Sequence, residues 1–376
     1  MGRGKTERRS EGETESWGQG EREREMDVVG FAGKCRDIWY FVLSTKYRGC
    51  WARALQVAMF LAFAIHGASA DDGSQWHVGV THFVPTASES QVAERFRLAD
   101  HQFQWQTKPL WTVTENLEAF EVTFPSPVKT PEEPNNTVHC EYYRSLRGGK
   151  RPGVIVLHIL GGDFPLSRLF CNVLAQHGVN ALFVKMPYYG PRRDPSSPRR
   201  MVSPDPRQTV EGMTQAVLDI RRATAWLTSR PEVDANRIGI FGISLGGITA
   251  ALAATAEPRL KNVCLMLAGG DIGQAGWDAN EARAVREQWL AQGGTREQFC
   301  EILRPVDPVT YAATARGKRI LMLNAAADEV IPRACTDSLW RALGEPEIRW
   351  YTGGHYSVIR HLFSALLTVG QFFAKE

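Results

Sequence analysis

Three residue types able to perform acyl transfer stand at separated points of the chain. Ser244 is the centre of Gly242-Ile243-Ser244-Leu245-Gly246, Asp328 directly follows the apolar run RILMLNAAA, and His355 sits in a Gly-Gly-His loop after EIRWYTGG. A serine hydroxyl is a weak nucleophile until a base takes its proton, and an imidazole serves as that base when a carboxylate holds its tautomer. The G-x-S-x-G spacing alone is weak evidence, and its surroundings sharpen it. RIGIFGI before the serine has strand character and ITAALAATA after it has helix character, which places Ser244 on a tight strand-to-helix turn. A Cβ at either flanking glycine would collide with the neighbouring strand or helix. A helix starting behind the serine aims its free amides and the positive end of its dipole at any oxyanion formed there.

Each assignment has a competitor. Asp271, after NVCLMLAGG, is a rival acid, and Asp328 itself would serve equally as a helix cap or turn residue. His361 is a rival base, but it falls inside a helix pattern, whereas His355 lies at a strand end. The amide of Leu245 is the expected first oxyanion donor. The second is expected from the loop His158-Ile159-Leu160-Gly161-Gly162, at Leu160, with His158 shaping that loop rather than reacting. An idle serine on a glycine-rich turn is the bland alternative.

The elements that must position these groups alternate. From Gly153 onwards GVIVLHIL, a helix near 165–177, VNALFVKM, a helix over 208–229, RIGIFGIS, a helix over 246–256 and NVCLMLAG follow one another, with RILMLNA and EIRWYTGG later. Strands apolar on both faces and joined by helices form a parallel sheet through right-handed crossovers, so the fold class is α/β, a doubly wound and mostly parallel sheet. Upstream, Phe120–Phe124 and Val138–Arg144, separated by a Pro- and Asn-rich stretch, read as a hairpin opening that sheet. Residues 71–119 are expected to pack on the 120–376 domain as an N-terminal extension with a helix over 88–99.

From Phe120 to the C-terminus the chain resembles the α/β-hydrolase superfamily, closest to its dienelactone-hydrolase, acetyl-xylan-esterase and prolyl-oligopeptidase-like members. VIVLHILGG, VDANRIGIFGISLGG, the ADEVIP run around Asp328 and the GGHYS run around His355 carry the resemblance. The chain order Ser, Asp, His is also that of the superfamily. The sequence departs from many relatives at His158-Ile159, where they have His-Gly. The resemblance implies that Ser244, Asp328 and His355 form a catalytic triad acting on a small-molecule ester through an acyl-enzyme. It also implies that the helical insertion at about 272–317 is a cap over the site, with Trp277, Trp289 and Phe299 lining an acyl pocket or fastening the cap. A peptidase of prolyl-oligopeptidase type would use the same triad, yet 71–119 is too short for its usual added domain. A non-catalytic binding protein on the same fold is the third reading.

Residues 1–53 are read as a disordered or extended leader, with Met26 an alternative start, and 54–70 as a secretory signal. The apolar run LQVAMFLAFAI follows Arg48 and Arg53 and precedes Ala68-Ser69-Ala70 and Asp71, which predicts export with cleavage after Ala70. An uncleaved anchor is the alternative. No stable membrane span is expected after cleavage. The net charge of +3 over 376 residues, with no basic stripe, argues against nucleic acid. Seven scattered cysteines offer no zinc-ligand spacing, so no metal and no cofactor is expected, although Cys140 and Cys171 are candidates for a disulfide. Asn135-Asn136-Thr137 matches a glycosylation sequon. The loop 186–207 holds five arginines and six prolines, read as a solvated basic loop or a site for an anionic substrate.

Overall fold

Strands made of unbroken Val, Ile and Leu cannot face water on either side, and in the computed structural model they fill the middle of the molecule. Residues 76–375 are described, apart from 115–116, 163 and 279–282; the expected leader and signal segment lie outside them. The strands are His77–Phe83 (β1), His101–Thr114 (β2), Leu117–Pro125 (β3), Thr137–Ser145 (β4), Arg151–Leu157 (β5), Asn180–Val184 (β6), Val233–Ile243 (β7), Asn262–Met266 (β8), Arg319–Ala325 (β9) and Glu347–Tyr351 (β10). They form one sheet in the order β1-β2-β3-β4-β6-β5-β7-β8-β9-β10. Pairing is antiparallel from β1 through β4 to β6 and parallel from β6 to β10.

Phe164–Gln176 (α1) joins β5 to β6, Pro206–Thr228 (α2) joins β6 to β7, and Leu245–Ala256 (α3) joins β7 to β8. Ile272–Asp278 (α4), Arg283–Ala291 (α5), Arg296–Leu303 (α6) and the short Pro308–Tyr311 (α7) lie between β8 and β9. Arg333–Ala342 (α8) and Leu362–Ala374 (α9) complete the chain. The helices divide between the two faces. Phe170 and Leu174 of α1 share one core with Val369 and Phe373 of α9. Met213 and Val217 of α2 share the other with Leu252 of α3, Leu339 of α8, and Trp289 and Phe299 of the insertion. Of the two readings of the insertion's aromatics, fastening to the core is the one formed. Trp277 and Trp289 both pack against Phe299, with ring centroids 5.6 and 6.1 Å away.

Several expectations are corrected. Residues 77–114 do more than pack on the sheet: they supply its first two strands, and they belong to the same compact unit as the rest of the described residues. The helix over 88–99 does not form. Two 3₁₀ turns, Glu89–Gln91 and Glu94–Phe96, replace it, because the segment wraps the buried guanidinium of Arg221. Arg221 donates to both Glu89 carboxylate oxygens, at 2.8 and 2.6 Å, and to the carbonyl of Phe96. Cys140 and Cys171 are free thiols; the sheet separates them, one in each core layer. The sequon residue Asn135 is fully buried. Its amide donates to Gln215 at 2.8 Å and its carbonyl oxygen accepts from the Tyr188 N–H at 3.0 Å.

Candidate active site

The parallel strands all end on one rim, and the chain order steps outward from β5 in both directions, which opens a crevice at that rim. Ser244 stands there between β7 and α3 with φ 54° and ψ −118°, a backbone conformation costing a non-glycine residue of the order of 1–3 kcal/mol. Its neighbours permit the turn. A Cβ on Gly242 would lie 2.1 Å from the carbonyl oxygen of Gly246, and one on Gly246 would lie 2.5 Å from that of His158. The strained serine is also tied down, its N–H donating to Met266 at 2.9 Å.

His355 and Asp328 come from the loops after β10 and β9. His355 Nε2 lies 2.9 Å from Ser244 Oγ, and His355 Nδ1 lies 3.0 and 2.9 Å from the two Asp328 oxygens. The side chains of His355 and Asp328 are only 8% and 4% exposed, so water barely competes for this line of hydrogen bonds. With Nδ1 donating to the carboxylate, Nε2 is left to accept the serine proton. Asp328 is itself held: Oδ1 accepts the N–H groups of Val330 and Ile331 at 2.9 and 2.7 Å. The three separated residues singled out in the sequence therefore meet. The rivals do not join them. His361 binds Thr352 through Nε2 and stacks on Tyr351, and Asp271 occupies a left-handed turn at the start of α4.

The loop carrying Leu160 follows β5, whose Leu157 is in register with Gly242 of β7, so it shares the rim with Ser244. His158 beneath it is fully buried. Its Nε2 accepts the Met186 N–H at 3.0 Å, and its Nδ1 donates to the Ile159 carbonyl at 2.8 Å. Burial pulls its pKa down to about 4, so the ring is neutral, with its proton on Nδ1. The two ends of a trans peptide point in opposite directions. Fixing the Ile159 carbonyl towards the ring therefore turns the Leu160 N–H away from it. The Leu245 N–H precedes the first intrahelical bond of α3, from Ile248 to Ser244, and is free of that ladder.

Two features escaped sequence reasoning. Glu329, next to Asp328, accepts the His355 backbone N–H at 2.8 Å; its carboxylate oxygen would be 1.9 Å from a Cβ on Gly354, which accounts for the second glycine of Gly-Gly-His. An acid pair followed downstream by that triplet was the available clue. Arg192 is neither a solvated nor an anion-seeking arginine. It is fully buried, pairs with Asp219 at 2.8 Å and donates to the carbonyls of Asn135 and Lys185. It thereby pins the loop that places Tyr189 against the His158 ring, with centroids 4.6 Å apart. Arg199 is likewise occupied, by Glu211 and the Tyr188 ring.

Residues 142–357 match the dienelactone hydrolase family. The chain belongs to that family. The matched span runs from within β4 to just beyond His355 and so contains all three residues of the hydrogen-bonded line. An uncharacterized protein of Mycobacterium tuberculosis is 30% identical over 227 residues, 57% of this chain and 52% of that one; this family member thus spans about half the length of the curated relatives it matches first. A thiohydrolase of Arthrinium phaeospermum is 29% identical over 121 residues, covering 31% and 36% of the two chains. Among solved structures, acetyl xylan esterase 1 from Thermoanaerobacterium sp. superposes with a TM-score of 0.58 at 19% identity, over 72% of this chain and 87% of that one. An acetyl xylan esterase from Paenibacillus sp. R4 gives 0.57 at 21% identity, over 71% and 88%. At such identities the likeness is one of fold, the open, mostly parallel α/β-hydrolase sheet.

Proposed function

We propose that this family member is a serine esterase whose nucleophile is Ser244, with His355 as general base and Asp328 as the carboxylate that fixes the imidazole and stabilises the imidazolium. The unbroken line from Ser244 Oγ through His355 to Asp328, set on a strained strand-to-helix turn, carries the reading. His355 removes the Ser244 proton as Oγ attacks the ester carbonyl. The amides of Leu245 and Leu160 receive the oxyanion, the alcohol leaves with the proton, and water releases the acyl group by the same route. His158 contributes by orienting the Leu160 peptide.

The experiment is a panel of short-chain, long-chain and sugar acetate esters, with a fluorophosphonate label. Labelling of the parent at Ser244 and a loss of several powers of ten in kcat for Ser244→Ala are expected; equal hydrolysis by the variant, or no labelling of folded protein, rejects the reading. The thiohydrolase relative favours adding thioesters to the panel, since the same acyl-enzyme would serve them. We further infer that the enzyme is exported; a mature protein beginning at Asp71 is the expected product.

A further inference from the structure

At the rim opposite Ser244, where β7, β8 and β9 begin, a cavity of about 780 Å³ opens between the end of α3, the end of α9 and the segment leading into β9. Its size is that of a small-molecule site, about 300–1,000 Å³. Arg237, Lys261, Arg316, Lys318, Arg319 and Lys375 line it, against the single carboxylate of Asp234. Asp234 is engaged with its own loop, accepting the Asn236 N–H at 3.0 Å. None of the six cations has a carboxylate partner within ion-pair distance among the described residues. Two help to close helix ends: Arg237 donates to the carbonyls of Ala374 and Lys375 at 3.0 and 3.1 Å, and Lys318 to those of Glu257 and Leu260 at 2.9 and 2.7 Å. Those contacts use one guanidinium nitrogen of Arg237 and two of the three ammonium protons of Lys318. Arg316 spends only Nε, on the Ala342 carbonyl, and Arg319 only Nη1, on Asn262.

We propose that this cavity binds a small polyanion bearing two or more oxyanion groups, with phosphoryl groups the best fit. Several cations that keep N–H donors to spare line one concavity, and a phosphoryl group offers three acceptor oxygens and up to two charges near neutral pH. A carboxylate offers one charge and two oxygens. Burial draws the Lys318 ammonium down to about 8, with Glu257 opposing and Lys261 adding to the effect; an anion in the cavity would relieve that cost. The site is independent of the triad, so its test does not depend on the esterase reading. Free phosphorylated compounds and phospholipid headgroups present the same chemistry.

The test is calorimetric titration of the full-length protein with inorganic pyrophosphate at fixed ionic strength, in the parent and in Ser244→Ala. Saturable binding with one ligand per chain is expected in both. The double variant Lys261→Gln/Lys375→Gln changes two exposed side chains that structure needs least, and should weaken binding about tenfold or more by removing two charge-assisted partners. Arg193→Gln, on the other rim, should not weaken it. Co-sedimentation with phosphatidylcholine vesicles, with and without phosphatidic acid, identifies a lipid source if the same double variant abolishes it. Absence of saturable binding to both probes, or binding indifferent to the double variant, overturns the proposal.

Discussion

The two rims of the sheet use polar groups in opposite ways. At the rim where the parallel strands end, Ser244, His355 and Asp328 satisfy one another in a single line, each held by backbone bonds around it, and the backbone under Ser244 is strained. At the rim where β7, β8 and β9 begin, cations rest on main-chain carbonyls at helix ends and keep donors to spare. The first arrangement has exhausted its freedom to fix a geometry; the second has kept its freedom and accumulated charge. Reactivity needs the former, since a misplaced proton path costs rate, while attraction of an ion needs only the latter.

The contrast predicts that small changes at the first rim have large effects. Asp328→Asn should lower kcat by about 10⁴-fold while leaving the melting temperature close to the parent's, because the amide oxygen can still accept from Val330 and Ile331 but no longer selects the right tautomer; steady-state kinetics and thermal unfolding check the two halves. Gly246→Ala drives a Cβ towards the His158 carbonyl oxygen, 2.5 Å away. It should cost about 3–4 kcal/mol in denaturant unfolding and reduce activity together with stability.

His158 tests the same rim through pH. Its pKa is about 4 in the fold against an ordinary 6.5, so the unfolded chain binds the extra proton between those values. Stability from this group is therefore full above pH 6.5 and is lost as pH falls towards 4, by up to about 3 kcal/mol. His158→Asn should flatten that part of the unfolding profile; an unchanged slope would mean the ring is charged in the fold. The smallest effect belongs to Glu329, a positioning group. Glu329→Ala should lower kcat about tenfold with KM little altered, and Glu329→Gln, which keeps an acceptor for the His355 N–H, should recover most of it.

Legibility followed how local each physical constraint was. Gly242 and Gly246 are demanded by contacts within a few residues or with the adjacent strand, so the turn around Ser244 shows in the sequence. Asp328 and His355 stood out because each follows a strand, the apolar RILMLNA and the mixed EIRWY, and the parallel strands in this fold end at one rim. β1 was invisible because its exposed positions carry Val78 and Val80 while Gly79 and Thr81 face inward, so the apolar-polar pattern runs opposite to the burial. Arg192 was misleading, and Arg221 passed unremarked, for a different reason. An arginine among prolines or on a helix surface pattern gives no sign that a distant carboxylate, Asp219 or Glu89, will receive it in the core. The roles of Glu329 and Gly354 needed two loops brought together, which no single window of sequence contains.

The buried Arg221 also decides where this protein can be cut. It binds Glu89 and the Phe96 carbonyl on one side and Glu257 at 3.3 Å on the other, so the first fifth of the folded body is riveted to the helix behind the catalytic strand. A polypeptide shortened to begin at Phe120, or to the span shared with the family, would lose Glu89, one of the two carboxylates that receive this guanidinium, together with the first two strands of the sheet, and would keep Glu257 alone as its partner. The smallest portion able to stand alone is thus longer than the family match.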